Sequence, residues 1–218
     1  MNKKIEAGER PVAKPLTRRR QPEQIRARIL KSALNIFATH GFEGASVRRI
    51  AADAHVSISL LIYHFGSKEQ LWRATIEDVF AKAVPDFGND TAFHNAATSS
   101  ERLSILIEQS VRLFAEYPAL HRLMTLEGHQ PTDRLIWLCD TYIVHNYKTV
   151  CKAIADGQRD GTVVDGDPAQ LRMAITAMAA VPFSVSAEYQ YLTRQNPFAK
   201  NEIEGTIAMI KRLIFKAE

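Results

Sequence analysis

Residues 46–68 read SVRRIAADAHVSISLLIYHFGSK and carry the pattern of two short helices joined by a tight turn. Ser46 is a candidate N-cap, because its hydroxyl can accept a hydrogen bond from a free amide of the first helical turn. Apolar residues then recur at helical spacing, with two arginines on the opposite face. His55 and Val56 interrupt this pattern, and Ser57 is the next candidate N-cap. The stretch therefore predicts a helix-turn-helix unit, whose second helix can lie in the major groove of DNA.

The same stretch resembles the DNA-binding signature of the tetracycline-repressor (TetR) family of bacterial regulators. The resemblance rests on SVRRIAADAHVS and YHFGSKEQL, and on an upstream helix that ends in FATHG; together they span about residues 25–71. Three positions depart from the family pattern. His55 stands where the turn usually has Gly, Ser59 where the reading helix commonly has Gly, and Ile62 where an aromatic residue is common. Since His tolerates a positive φ better than most residues, His55 remains compatible with a left-handed turn.

Length and composition are those of an ordinary globular protein. The chain has 218 residues, of which 46% are hydrophobic and 24% charged. Its apolar runs are far shorter than the roughly 18 residues that span a bilayer, and no secretory signal opens it, so we expect a cytoplasmic protein without membrane contact. Cys139 and Cys151 would lie about 18 Å apart on one helix and could not form a bridge within a subunit. Buried structural thiols are favoured over a redox sensor.

The charge is distributed unevenly along the chain. Residues 1–72 contain 13 Lys and Arg against 6 Asp and Glu, a net charge of +7, whereas residues 73–218 contain 15 against 18, a net charge of −3. A basic first third is typical of a nucleic-acid-binding domain, because neutralisation of phosphates supplies much of the affinity. We therefore expect a double-stranded DNA operator as a partner.

The pattern predicts an all-α protein of about nine helices in two domains. Residues 1–21 form a basic, disordered tail, interpreted either as a solvated extension or as an arm that reaches DNA. Residues 22–67 form the three-helix DNA-binding domain, in which the first helix begins at Pro22 or Glu23 and is stopped by Gly41. Residues 68–218 form a larger helical domain for effector binding and dimerisation. Its predicted helices are 68–84, 101–115, 118–127, 132–156, 167–193 with a kink at Pro182, and 201–216, and residues 86–100 are predicted to be a mobile connection.

The predicted reading helix offers few hydrogen-bonding groups to bases. Leu61 is expected to pack inward, which leaves Ile58, Ser59, Ile62 and, in part, Leu60 outward. In the family resemblance, Ile58, Ser59 and Ile62 are the positions that approach base edges. Apolar groups can contact thymine methyls, so this face favours A·T pairs. The alternative is that both isoleucines pack on the upstream helix.

Backbone contacts are predicted around the helix starts. Free amides at the helix starts Ser46, Ser57 and Ser67 suit phosphate oxygens. Lys68 lies in the first turn of its helix, where a cation is unfavourable toward the helix dipole, so a contact with phosphate explains Lys68 better than a role in stability. Tyr63 and His64 follow the reading helix and could each hydrogen-bond a phosphate, and the alternative for His64 is a structural role. Any arginine contact with bases would have to come from Arg48 or the tail. The full set of predicted DNA-binding residues is Ser46, Arg48, Ser57, Ile58, Ser59, Leu60, Ile62, Tyr63, His64 and Lys68.

The second domain is expected to dimerise and to bind an effector. A two-fold dimer places two reading helices one DNA turn apart, and the last two helices are more apolar than a monomer requires. The resemblance implies an interface on these helices and a small-molecule pocket among the middle ones. The interface candidates are Met173, Met178, Val185, Ile203, Ile207, Ile210 and Ile214. The pocket candidates are Phe114, Met124, Trp137, Tyr142, His145, Met178 and Phe183, a set that favours a largely apolar or aromatic effector.

Three functions compete. The first is a dimeric repressor released from a palindromic operator by an effector. The second is the same DNA-binding scaffold acting without a small-molecule ligand, as an activator or through protein contacts. The third is a helical enzyme, which is disfavoured because the sequence has no G-x-S-x-G, P-loop, H-E-x-x-H or C-x-x-C motif. We accordingly expect no catalysis, no cofactor and no metal.

Overall fold

The computed structural model describes residues 20–83 and 91–217, and this part of the chain is all-α. It contains twelve α-helical segments and a π-helical turn, Cys139–Ile143, that joins α8 to α9. The only strand-like feature within these ranges is an isolated antiparallel bridge between Val163 and Phe215. The segments are α1 Arg20–Gly44, α2 Val47–Asp53, α3 Ile58–Phe65, α4 Lys68–Ala83, α5 Thr91–Asn95, α6 Ser99–Glu116, α7 Pro118–Glu127, α8 Asp133–Leu138, α9 Val144–Arg159, α10 Pro168–Ser184, α11 Ser186–Thr193 and α12 Lys200–Ile214.

The helix-turn-helix is confirmed, and its turn is closed by a left-handed histidine. His55 has φ 52° and directly follows Ala54, the C-cap of α2. The amide of His55 donates to the carbonyl of Ala52 at 3.1 Å, and the amide of Val56 donates to the carbonyl of Ala51 at 2.9 Å. This pair of bonds is the Schellman arrangement, in which the residue after the cap adopts a positive φ. His55 thus takes the conformation that glycine usually supplies.

Two apolar cores organise the molecule. The first contains residues from each of the helices α1, α2, α3 and α4, together with Ala119 and Leu123 of α7 and Leu138 of α8. The second lies among α6, α9, α10 and α12 and includes Phe183, which has no exposed surface. Because α7 packs along α1, the helix-turn-helix is held directly by the larger helical part of the chain.

Several helix boundaries in the structure differ from those predicted from the sequence. The first helix begins at Arg20, although Gly41, with φ 67°, breaks it as expected. The described part of the predicted mobile connection 86–100 is partly helical: residues 91–95 form α5, and α6 begins at Ser99 because Thr98 and Glu101 form a capping box. The rest of the basic tail and residues 84–90, including Pro85, lie outside the described residues.

The long helices are interrupted where the sequence pattern is continuous. A π turn interrupts the predicted helix 132–156, and a break at Val185 separates α10 from α11. Pro182 lies inside α10 near this break; its missing amide cannot donate to the preceding turn, although the helix continues to Ser184. No helix of the described residues is both long enough and apolar enough to cross a membrane.

Replacing His55 by Gly is expected to raise the free energy of unfolding by about 0.5–1 kcal/mol. The left-handed conformation strains every residue that has a Cβ, and part of the relief is offset by the greater entropy of an unfolded glycine. His55→Val is the control and should destabilise, since a branched Cβ is poorly tolerated at positive φ. Chemical denaturation of all three chains measures the effect, and a glycine variant less stable than the parent would contradict it.

Candidate DNA-binding surface and effector cavity

The third helix presents an apolar face to the outside. Leu61 has no exposed surface and Phe65 is buried, so α3 is anchored along one side as predicted. Ile58 and Ile62 are 43% and 40% exposed, and Tyr63 at the end of the helix is 83% exposed. Burial against the upstream helix therefore does not account for the two isoleucines. Ser59 is exposed beside them, and Leu60 is half-buried.

Three serines cap the helices that surround this face. The hydroxyl oxygens of Ser46, Ser57 and Ser67 accept hydrogen bonds from the amides of Arg49, Leu60 and Gln70, each at 3.1 Å. Each hydroxyl uses its oxygen in the cap and keeps its own O–H available to donate. Three helix N-termini with free first-turn amides consequently lie around α3, an arrangement that suits phosphate oxygens.

Lys68 is partly engaged within the protein. Its Nζ atom donates to the carbonyl oxygen of Glu43 at 3.4 Å and lies 4.4 Å from the centre of the Phe42 ring. An ammonium has three protons to donate, so these contacts orient Lys68 without using all of them. Arg48 is exposed on α2, and His64 is half-buried with its ring against those of Tyr63 and Phe65.

A cavity of about 60 Å³ lies among the middle helices. One side is aromatic: Phe80 of α4 stacks on Tyr142 of the π turn, with ring centroids 4.3 Å apart and planes inclined by 24°. Burial is the main cause that raises the pKa of Tyr142, so its hydroxyl stays protonated at neutral pH. The lining residues are Phe80, Ser110, Leu113, Phe114, Leu120, Met124, Tyr142, Ile143, Asn146, Arg172 and Thr176.

The predicted pocket residues divide into two groups. Phe114, Met124 and Tyr142 line the cavity. The others do not: Trp137 packs between Trp72 and Tyr142, His145 is exposed, Met178 packs on the second core, and Phe183 is fully buried beside Phe198. Sequence reasoning missed Phe80, Asn146, Arg172 and Thr176, because helical periodicity does not reveal which polar side chains turn toward a cavity.

Arg134 connects the larger helical part to the helix-turn-helix. Its Nε lies 3.2 Å from an oxygen of Glu127, which is 7% exposed, and its two terminal nitrogens lie 3.7 Å from Glu43 and 3.8 Å from Glu69. The guanidinium carbon is also 3.8 Å from the centre of the Phe42 ring. Phe42 therefore contacts cations from Arg134 and Lys68, and the start of α8 is tied to the end of α1 and the start of α4.

An exposed apolar surface runs over the last three helices. Ile207, Ile210 and Ile214 are buried inside the subunit, which removes them from any surface that a second subunit could reach. Ile203 and Met178 pack partly on the same core, whereas Met173 and Val185 are exposed. The exposed apolar residues on this surface are Met173, Val181, Val185, Tyr191, Leu192, Phe198, Met209 and Leu213.

Comparison with known proteins assigns the family. The family model described as bacterial regulatory proteins, tetR family, matches residues 29–75. The HTH-type transcriptional repressor SCO4008 of Streptomyces coelicolor is 30% identical over 162 residues, which cover 73% of this chain and 79% of that protein. The chain belongs to the TetR family. It is thus a helix-turn-helix transcriptional regulator, as the resemblance in residues 25–71 implies.

Solved structures of TetR-like fold extend the similarity over the whole domain arrangement. A mutant of HlyIIR has a TM-score of 0.69 at 20% identity, covering 90% of this chain and 99% of that one. AibR in complex with isovaleryl coenzyme A and operator DNA has a TM-score of 0.64 at 18% identity, covering 87% and 97%. At such identities the likeness shows the fold alone.

In this TetR-family chain, replacing Arg134 by Met is expected to lower the free energy of unfolding by about 3 kcal/mol, because it leaves a buried carboxylate without its cation. Glu127 would then keep only the hydroxyl of Thr132, 2.5 Å away. Equilibrium denaturation measures the loss, and the double change Arg134→Met with Glu127→Gln should recover part of it.

Arg112→Met is the matched control for Arg134. Arg112 pairs with Glu204 at 2.9 Å, but both side chains are about half exposed, so its loss should cost less than about 1 kcal/mol. Equal losses of unfolding free energy in the two variants would show that the Arg134 contacts stabilise the protein no more than an exposed ion pair does.

Proposed function

We propose that the protein is a dimeric transcriptional repressor that binds a two-fold symmetric operator through α3 and is released by a small effector in the central cavity. The observation that carries this proposal is the outward face of α3. Ile58 and Ile62 stay exposed on a helix that Leu61 and Phe65 anchor firmly, in a chain that belongs to a family of DNA-binding regulators. Exposing two isoleucines is unfavourable in water, and contact with DNA offsets this cost.

The base contacts are inferred to be chiefly apolar. Ile58 and Ile62 suit thymine methyls, and Ser59 can donate to or accept from a base edge. Ser46, Ser57, Tyr63, His64 and Lys68 surround this face and would contact the phosphate backbone, together with Arg48. A footprint on the DNA that flanks the coding region tests the proposal: we expect a protected palindrome, and failure to protect any such site at low salt would refute DNA binding by this face.

Ile62→Ala is expected to weaken recognition of one thymine methyl. Replacing the contacted thymine by deoxyuridine, which lacks only that methyl, should weaken binding of the parent chain about fourfold, the equivalent of one buried methylene. The same replacement should have no effect on Ile62→Ala. Equal losses for both proteins would mean that Ile62 does not touch the methyl.

Arg48→Ala should instead weaken binding to all sequences alike. Loss of one phosphate contact per subunit reduces the slope of log K against log salt concentration by about 0.9 for each subunit. Lys152→Ala is the control, since Lys152 pairs with Asp156 on α9, and it should leave the slope unchanged. Loss of specificity in Arg48→Ala without a change of slope would contradict the assignment.

Dimerisation is proposed to use the exposed apolar surface of α10, α11 and α12. One reading helix covers only a few base pairs, and two-fold dimers place two such helices about 34 Å apart on DNA. Exposed apolar side chains on three successive helices also favour association over solvation. The face of α12 that carries Met209 and Leu213 is outside the subunit core and is therefore the one available to a partner.

Leu213→Asp is expected to convert the dimer into a monomer, because it places a charge in a desolvated apolar interface. Sedimentation velocity at micromolar concentration measures the change. Ile136→Asp on α8 is a matched control: Ile136 and Leu213 are 53% and 54% exposed, so only the position differs. A parent chain that sediments as a monomer under these conditions would refute the dimer.

The effector is proposed to act through two structural links. Phe80 lies on α4, the helix that follows the reading helix, while Tyr142 and Ile143 lie in the π turn between α8 and α9. A ligand that separates Phe80 from Tyr142 shifts α4 and also strains α8, whose first turn carries Arg134. Such a ligand would favour a geometry of the two subunits that cannot span both half-sites. The fold relative AibR, solved with both isovaleryl coenzyme A and operator DNA, supports this combination of functions.

Regulation without a small molecule is a second candidate. The observation that favours it is the cavity volume of about 60 Å³, which is well below the roughly 300–1,000 Å³ of typical ligand pockets. An effector therefore requires the cavity to widen. Small molecules that displace the protein from its operator would exclude the second candidate.

A further inference from the structure

The polar wall of the cavity is built around one arginine. Arg172 and Thr176 lie one turn apart on α10, and Asn146 faces the cavity from α9. The hydroxyl of Thr176 donates to the backbone carbonyl of Arg172 at 3.0 Å, which leaves the oxygen of that hydroxyl able to accept. Most of the other lining side chains are aromatic or aliphatic, among them Phe80, Phe114 and Tyr142. The cavity thus combines one cationic residue with a largely apolar lining.

Arg172 has no carboxylate partner among the described residues. Its guanidinium donates to the sulfur of Met173 at 3.7 Å, and its central carbon lies 5.5 Å from the centre of the Tyr147 ring. Two other arginines of the second domain do have an oxygen acceptor. Arg159 pairs with Asp156 at 2.6 Å, and Arg122 donates to the carbonyl of Ser184 at 3.3 Å. A half-buried guanidinium without an anion or a carbonyl acceptor is an unusual feature for a protein interior.

The groups that face Arg172 do not neutralise its charge. Burial is the first cause that raises the pKa of the Cys139 thiol, and the neighbouring Cys151 raises the pKa of the Tyr147 hydroxyl, so both stay protonated at neutral pH. The thiol of Cys151 donates to the carbonyl of Pro168 at 3.7 Å and so has an acceptor of its own. Burial lowers the pKa of Arg172, but a guanidinium keeps its proton in proteins.

We infer that the effector is an organic anion whose single acidic group binds Arg172, with its apolar or aromatic body lying toward Phe80 and Tyr142. This inference rests on the proposed function and specifies the charge of its ligand. The planar guanidinium can donate two parallel hydrogen bonds to a carboxylate or a phosphate. Asn146 can donate a further bond, and the ligand supplies the counter-charge that the chain itself does not provide.

The small volume of the cavity requires it to widen around the ligand body. About 60 Å³ is well below the volume of typical ligand pockets, and separation of Phe80 from Tyr142 is the proposed way in which the cavity widens. Binding energy gained at Arg172 would offset the loss of this aromatic stack. A neutral analogue lacks that gain and is expected to bind weakly even though its body is the same.

A matched series of ligands tests the inference on the full-length chain. The probes are straight-chain carboxylic acids of four to ten carbons, the corresponding primary alcohols, and the corresponding alkyl phosphates, with binding measured by calorimetry. We expect at least one acid or phosphate to bind, and its alcohol to bind at least about tenfold more weakly. Preference for carboxylate over phosphate, or the reverse, identifies the acidic group.

Variants at Arg172 provide the second measurement. Arg172→Met should lower the affinity for the anion about ten- to a hundredfold. Arg172→Lys keeps the charge but not the planar guanidinium, so its affinity should fall less. Arg122→Met is the control outside the cavity and should leave the affinity unchanged. Circular dichroism establishes that each variant is folded; if Arg172→Met does not fold, the comparison of Arg172→Lys with Arg122→Met carries the test.

Three results would overturn the inference: no anion of the series binds, an alcohol binds as tightly as its acid, or the Arg172 variants retain the parent affinity. Operator binding by the parent chain without any ligand is measured in parallel. Its absence would refute the proposed function, whereas failure of the anions with operator binding intact would refute the role of Arg172 alone.

Discussion

The contact between Arg134 and its three carboxylates holds the two parts of the molecule in one geometry. Glu127 is almost fully buried, so Arg134 must stay beside it, while the same guanidinium reaches Glu43 and Glu69 at the end of α1 and the start of α4. The apolar core that joins α1 to α7 lies along the same boundary. The position of the reading helix is therefore set by contacts with the larger helical part as well as by its own small core.

The residues that fix the position of α3 are different from those exposed on its outer face. Leu61 and Phe65 commit one side of α3 to the core, and the three serine caps fix where α2, α3 and α4 begin. What remains outside is an isoleucine pair with little hydrogen-bonding capacity. Apolar contacts discriminate bases less strongly than paired hydrogen bonds. If α3 contacts bases as proposed, DNA shape must therefore supply part of the specificity, while the phosphate contacts set affinity and register.

The sequence predicted those features that follow from local rules. N-cap serines, Gly41 and the helical spacing of Leu61 each act within a few residues, and a left-handed His55 follows from the conformational tolerance of histidine. Features that depend on distant contacts were not predictable: Arg134 meets partners from α1, α4 and α7, and nothing in its neighbourhood indicates them. On α12, the spacing predicts an apolar face at Ile207, Ile210 and Ile214, but it does not indicate whether that face packs on the subunit's own core or on a second subunit. In the structure, these three residues are buried in the subunit's own core.

The charge of Arg172 and the closed aromatic stack act in opposite directions on the cavity. An unpaired guanidinium favours entry of an anion, while the contact between Phe80 and Tyr142 favours the closed form without ligand. In the proposed mechanism, only an anion with an apolar body shifts the equilibrium, because an anion without that body would not separate the rings and a neutral body would leave Arg172 unpaired. Phe80 belongs to α4, and Tyr142 belongs to the π turn that follows α8, whose first turn carries Arg134. In the proposed mechanism, opening the cavity would therefore displace both connections to the reading helix at once. The proposed selectivity of the cavity and its effect on DNA binding would then have the same structural origin.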